Sequence, residues 1–325
     1  MLPRYCGRLF EKGDCIMKKF LTLLLALAMT LSLAACGSDS TEETEGTDGT
    51  EAETVDYTAM SDDELKAAIT TVSEGTLTVA TSPDFAPYEF YAIGEDGQAT
   101  LAGFEMSLAQ YIADYLGLEL EVVPMDFDGT LMELQNKSVD LGMAGYSPKP
   151  ERENIMDFSD IFYTGGQSFV TTQDKADLFT SLEDTNKAEY SIGAQTGSIQ
   201  VDLAQTNSPD AELIQLPKVT DVITDLLAGN LDGAYIETVV AETYAKNYPE
   251  LNVLLDVPYE QEGSVVGVSK GNAALLEGVN RAIAAALEDG TMDEFITQAN
   301  ELASGETYEG LLDENGQVAE TPAEG

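Results

Sequence analysis

From residue 76 onward, short apolar runs alternate with longer stretches whose apolar positions recur every three to four residues. LTVAT (77–81), LELEVV (118–123) and VDLGMAG (139–145) predict strands. Between them, Leu108, Ile112 and Leu116 share one face of a helix over residues 104–116, and residues 130–137 form a second helix. EFYAI (89–93) followed by Asp96-Gly97 predicts a hairpin or edge strand, and SPDFAPY (82–88) a loop. The alternation restarts after Gly166. Strands are expected at SFVTT (168–172), YSIGAQ (190–195), AELIQL (211–216) and LDGAYI (231–236). Helices are expected at residues 197–205, 219–228 and 238–246 and, beyond VVGVSKG (265–271), at 272–287 and 292–303. Strands alternating with helices predict two α/β units built on largely parallel sheets with helices on both faces. They are joined at Gly165-Gly166 and again at residues 263–267, which makes the body two-lobed. Ligands of such sheets bind beyond the carboxyl ends of the strands.

The N-terminal quarter reads differently. MKKFLTLLLALAMTLSLAACG (17–37) has two lysines, an apolar run and small residues before a cysteine, the layout of a secretory signal rather than a membrane span. Residues 1–16 lack an apolar block, which places the translation start at Met17 and leaves Cys36 as the one cysteine of the mature chain, with no internal disulfide. Residues 36–60 are acidic and nearly free of large apolar side chains, which predicts a disordered, self-repelling tether. SDDELKAAITTV, within residues 61–74, opens with Ser and three acids and predicts a short capped helix. Residues 305–325 are expected to be a flexible tail.

Charge and composition narrow the chemistry. The 325 residues carry 15 Lys and Arg against 59 Asp and Glu. Loss of the first 35 residues removes five basic and two acidic side chains, leaving 10 against 57 and a net charge of −47. Such a surface repels phosphate backbones, so nucleic-acid binding is excluded. Histidine is absent, which excludes Ser/His/Asp, Cys/His and His-ligated zinc sites. There is no CxxC, P-loop or GxGxxG motif, and no cofactor is expected. Asp126 and Asp128 are too few for a calcium loop, so no metal is expected either.

Only four arginines exist, Arg4, Arg8, Arg152 and Arg281, and Arg152 lies in GYSPKPERENIMDFSD (145–160). That segment, with TSPDFAPYEF, GFEMSLA, PMDFDGT, GAQTGS and LDGAYIETVVAE, resembles the extracellular solute-binding proteins of polar amino-acid ABC importers. The resemblance spans residues 75–303. It implies a type II periplasmic-binding-protein-like fold, with lobe 1 formed by residues 75–166 and 265–304, lobe 2 by 167–264, and two crossing strands between them. The segment LAACG resembles a lipobox, which implies cleavage before Cys36 and its lipidation, with the protein held on the outer face of the cytoplasmic membrane. Its partners would be a free amino acid, an ABC permease with its cytoplasmic ATPase, and the membrane through the anchor. The protein itself would be a monomer.

The resemblance also implies the site. Arg152 would grip the ligand α-carboxylate, as a guanidinium fork suits two carboxylate oxygens. Composition alone offers a surface pair with Glu151 or Asp157. Ser147, Gly145, Thr196 and Ser198 would complete the carboxylate seat, Ser198 also serving as a helix N-cap. Glu237, where relatives place Asp, would accept from the α-ammonium together with the backbone at Gly145, or else simply open a helix. Phe85, Tyr88 and Phe127 would flank the side chain, with core anchoring as the plainer role, and Ser82 and Asp84 would meet a polar or charged side chain. Glu105 and Ser107 depart from the usual GFD-x-DLA. The same architecture carries dehydratases of cyclic amino-acid precursors, in which a protonated Glu237 would act as general acid.

Overall fold

The computed structural model describes residues 55–94, 97–260 and 263–304. The signal segment, Cys36, most of the tether, Asp96 and the C-terminal tail lie outside the described residues.

Helix α1 (Asp62–Ala68) starts at Ser61, whose hydroxyl accepts from the Glu64 N–H while Glu64 reaches back to the Ser61 N–H. It ends earlier than the pattern suggests, because Ile69 is extended and the β-branched Thr70, Thr71 and Val72 follow it. The tether reading also needs correction at its end. Tyr57–Ala59 forms a 3-10 turn, and the carbonyls of Tyr57 and Thr58 accept from Arg281, which also pairs with Asp62 at 2.8 Å.

Lobe 1 is built on a sheet of β1 (Thr76–Thr81), β5 (Glu119–Pro124), β6 (Leu141–Gly142), β7 (Met156–Phe158) and β13 (Gly267–Ser269), in the order β5-β1-β6-β13-β7. A small sheet of β2 (Asp84–Phe85), β3 (Glu89–Ile93) and β4 (Ala99–Ala102) stands on it, and the expected hairpin is its β3–β4 pair. Helices α2 (Phe104–Leu116) and α3 (Phe127–Asn136) belong to this lobe, as do α7 (Ala273–Glu288) and α8 (Thr291–Ala303) from the end of the chain. Lobe 2 has the sheet order β10-β9-β11-β8-β12, from β8 (Gln167–Thr172), β9 (Ser191–Gln195), β10 (Glu212–Leu216), β11 (Gly233–Glu237) and β12 (Leu251–Asp256). Its helices are α4 (Ile199–Asn207), α5 (Val219–Ala228) and α6 (Thr238–Asn247).

The sheets are mixed rather than largely parallel. β1 runs parallel to β5 and β6, and β9 to β10 and β11, but β13 is antiparallel to β6 and β7, and β8 to β11 and β12. The cause is connectivity: β8 enters lobe 2 and β13 re-enters lobe 1 after the chain has crossed between lobes, not after a βαβ turn. The crossing segments touch, with Ser264 donating to the Tyr163 carbonyl at 2.7 Å and Phe162 to that of Ser264 at 3.1 Å.

Both sheets are covered on two faces, so their inner strands are buried without alternation, polar side chains included. Residues 77–81 are all buried, as is the whole of β8. The loops that follow β1, β6, β9 and β11 at their carboxyl ends open toward the space between lobes, and they carry the residues considered next.

Candidate functional site

Arg152 lies on a 3-10 turn, Pro150–Asn154, with Pro150 presetting the first turn. It is 5% exposed. Its guanidinium sits over the rings of Phe127 (5.4 Å) and Tyr146 (5.6 Å) and donates to the carbonyls of Ser147 (3.3 Å) and, across the cleft, Gly197 (3.0 Å). No carboxylate among the described residues lies within ion-pair distance; Glu151 is exposed and Asp157 pairs with Lys270. Burial lowers its pKa from the ordinary value, as expected for a desolvated cation.

On lobe 2, Glu237 ends β11 and is the N-cap of α6. Its carboxylate accepts from the Val240 N–H (2.9 Å) and from the Tyr88 hydroxyl of lobe 1 (3.3 Å). Burial pushes the carboxyl up from 4.5 to about 7, against the pull of those hydrogen bonds. A Cβ at Gly165 would stand 2.2 Å from Glu237 Oε1, so glycine there makes room for the carboxylate.

Two small adjoining cavities between the lobes bring these groups together. One is walled by Phe85, Phe127, Ala144, Gly145, Ser147, Arg152, Gln195, Ser198, Ile199 and Gln200. The other adds Tyr88, Gly165, Gln167, Glu237, Tyr259, Gly263 and Ser264, sharing Phe85, Gly145, Ser147 and Gln200 with the first. Both are small and partly open to solvent. Gly145 lies on both walls with φ +62°, and a Cβ would meet the Phe85 ring at 2.6 Å, so no larger residue fits. Its N–H donates to both Glu105 oxygens, at 3.1 and 3.2 Å. Glu105, which departs from the usual aspartate, thus supports the loop. Burial raises Glu105 to about 7 and drives its fully buried neighbour Glu89 well above the carboxylate range, further helped by the charge of Glu105.

Several sequence-derived positions need correction. Ser82 and Asp84 do not line either cavity. Asp84 accepts from the Ser82 hydroxyl (2.8 Å), Gln195 Nε2 (3.2 Å) and the Val219 N–H (2.5 Å) at the start of α5, and its carbonyl accepts from Tyr244 (3.0 Å). It is therefore an interlobe fastening; burial lifts its pKa from 3.8 to about 6. Thr196 also lies off the wall, its N–H bonded to the Leu216 carbonyl. Ser198 occupies the N-cap position without capping; its hydroxyl donates to the Gln195 carbonyl at 2.7 Å. Asp126 pairs with Lys218 at 3.7 Å, and Asp128 accepts from the Gly129 N–H.

The wall residues that sequence reasoning missed include three glutamines. Gln200 donates to Gln167 Oε1 at 2.7 Å, and Gln167 is paired with Glu237 in the β8–β11 register. Gln195 closes strand β9 and donates to Asp84 and to the Pro217 carbonyl. The one available signal was the position of Gln195 and Gln200 on either side of the glycine turn into α4.

Residues 77–299 match the model for bacterial extracellular solute-binding proteins, family 3. The chain is 30% identical over 281 residues to the arginine-binding extracellular protein ArtP of Bacillus subtilis, covering 85% of this chain and 96% of that protein. A crystal structure of the amino acid ABC transporter substrate-binding protein AbpA from Streptococcus pneumoniae bound to L-arginine superposes with a TM-score of 0.69 at 31% identity, covering 75% of this chain and all of that one. Cyclohexadienyl dehydratase of Pseudomonas aeruginosa is 26% identical over 180 residues, 55% of this chain and 66% of the enzyme.

Proposed function

Because the chain belongs to the bacterial extracellular solute-binding proteins of family 3, we propose that its cleft captures an extracellular amino acid and delivers it to an ABC permease and its ATPase. The observation that carries this is the placing of Arg152 and Glu237, both buried and opposite in charge, one on each lobe, along adjoining cavities with Gly145 between them. An α-carboxylate satisfies Arg152, with Ser147 and Ser198 at hand, and an α-ammonium satisfies Glu237. Phe85 and Phe127 pack against the remainder. Ligand bridging both lobes favours the closed arrangement that a permease can recognise.

The protein is a binding protein rather than an enzyme. The dehydratase reading rests on the elevated pKa of Glu237, but that likeness is partial, whereas the transporter relatives match along nearly their whole length. The refolded, ligand-stripped chain should show a raised melting temperature with one amino acid or a small group of them. No shift with any amino acid, together with turnover of prephenate or arogenate, reverses the assignment.

The anchor and monomeric state belong to the same proposal. The lipobox-like LAACG supports lipidation at Cys36. Mass spectrometry of the mature N-terminal peptide should find a lipid adduct on Cys36, and Cys36→Ser should release the protein from membranes; a membrane-bound Ser variant removes the anchor from the account.

A further inference from the structure

Resting on the amino-acid-binding reading above, we infer that the ligand carries an uncharged, hydrogen-bonding side chain, best matched by a carboxamide, and that the cleft discriminates against cationic amino acids.

The first ground is the supply of charge. Arg152 and Glu237 are the charged side chains on the two cavity walls, and the ligand's own carboxylate and ammonium use both. A lysine or arginine ligand brings a further cation, and removing it from water without a partner carboxylate is strongly unfavourable. Asp84 is the acid that sequence position assigns to that task. Its oxygens instead take three donors, from Ser82, Gln195 and the start of α5, and it lies off the wall. The geometry has put the neutral amide of Gln195 between that carboxylate and the cavity.

The second ground is the pattern of donors and acceptors. Gln195 commits its amide N–H donors to Asp84 and the Pro217 carbonyl, so what it can offer the cavity is its carbonyl oxygen. Gln200 gives one N–H to Gln167 Oε1, which leaves an acceptor and a second N–H on Gln200 and both N–H groups on Gln167. If either amide is turned over in response to a ligand, the pair still presents at least one donor and one acceptor. All three glutamines are 5–7% exposed, so each unmet group is costly. A carboxamide supplies the complementary acceptor and donor in one planar group. A guanidinium or ammonium supplies donors alone and leaves the donors of Gln167 facing another donor.

The test is calorimetric competition on the refolded chain with each common amino acid, arginine being the decisive competitor. Glutamine or asparagine should bind best, at least tenfold more tightly than arginine or lysine. Gln200→Glu, which adds a carboxylate to the wall, should move the preference at least tenfold toward arginine, its fold checked by melting temperature. Tightest binding of a cationic, acidic or apolar amino acid to the wild type overturns the inference while leaving the receptor reading intact. An unmoved preference in a folded Gln200→Glu protein overturns it as well. No binding of any amino acid removes the receptor reading itself.

Discussion

Arg152 and Glu237 are the same problem solved in two ways. Each is a buried ionisable group, 5% exposed, on a cavity wall between the lobes, Arg152 midway along a 3-10 turn and Glu237 at the end of β11. Glu237 can answer burial by taking up a proton, and its pKa of about 7 places that option within reach of neutral solution. Arg152 has no such escape, because a guanidinium stays charged at any relevant pH. It is held instead by two carbonyls and two aromatic faces, with no carboxylate alongside it among the described residues. The lesson is that burial asks different things of the two ends: the arginine keeps a charge that the proposed ligand carboxylate would satisfy, and the glutamate can idle as a neutral acid. The two ends should therefore respond differently to mutation and to pH.

The largest effect is expected at the arginine. Arg152→Ala leaves a ligand carboxylate desolvated without its partner, a loss of about 2–5 kcal/mol in binding by the behaviour of buried interfacial pairs, or roughly thirty-fold to several thousand-fold in Kd. Calorimetry checks it, and unchanged affinity would remove Arg152 from the site. Glu237→Gln should cost less, about 1.5–3 kcal/mol, because a charge-assisted hydrogen bond becomes a neutral one that still accepts from the ammonium. A Glu237→Gln protein that binds as weakly as Arg152→Ala would erase the asymmetry between the two ends.

How the two ends came to be legible differs too. Arg152 stood out because arginine is scarce and sits in a distinctive turn. The helices at residues 104–116 and 219–228 follow from periodicity alone, and their ends fall where a left-handed glycine stops them, at Gly117 and Gly229. Strand β12 was missed although LNVLL is an apolar run, and the three-residue β7 offers too little length to register. The misplacement of Asp84 has a geometric cause: β2 is a two-residue strand, and successive side chains leave opposite faces, so Phe85 enters the cavity while Asp84 turns toward α5. The Gln167–Gln200 pair joins residues 33 apart through sheet register and helix placement, which no local pattern encodes.

Smaller effects come from the fastening outside the cavity. Asp84→Ala removes the one oxygen that accepts from both Gln195 and the Val219 N–H, so both interlobe side-chain bonds are lost. About 1 kcal/mol should move the lobe equilibrium toward the open form, seen as a larger radius of gyration in small-angle scattering and an affinity reduced about five-fold. An unchanged radius and affinity would make Asp84 a bystander of closure.

The gentlest discriminator is pH, where the two ends should part. In the ligand-free protein the Glu237 pKa lies above its ordinary 4.5, so the folded state binds the extra proton, and the stability this gives is present below about pH 4.5 and lost as pH rises through about 7. Asp84 and Glu105 act in the same direction through about 6 and about 7, so the melting temperature of the empty protein should fall between pH 5 and 8. Binding reverses the sign at Glu237. An ammonium favours the carboxylate, so ligand expels the proton, and affinity should weaken about five-fold from pH 7 to pH 6 with proton release measurable by calorimetry in buffers of different ionisation enthalpy. Arg152 contributes nothing to this dependence, because its charge does not change. Glu237→Gln should therefore abolish most of the proton release while Arg152→Lys preserves it, and equal proton release in both variants would mean that the titrating group is not the one that meets the ammonium.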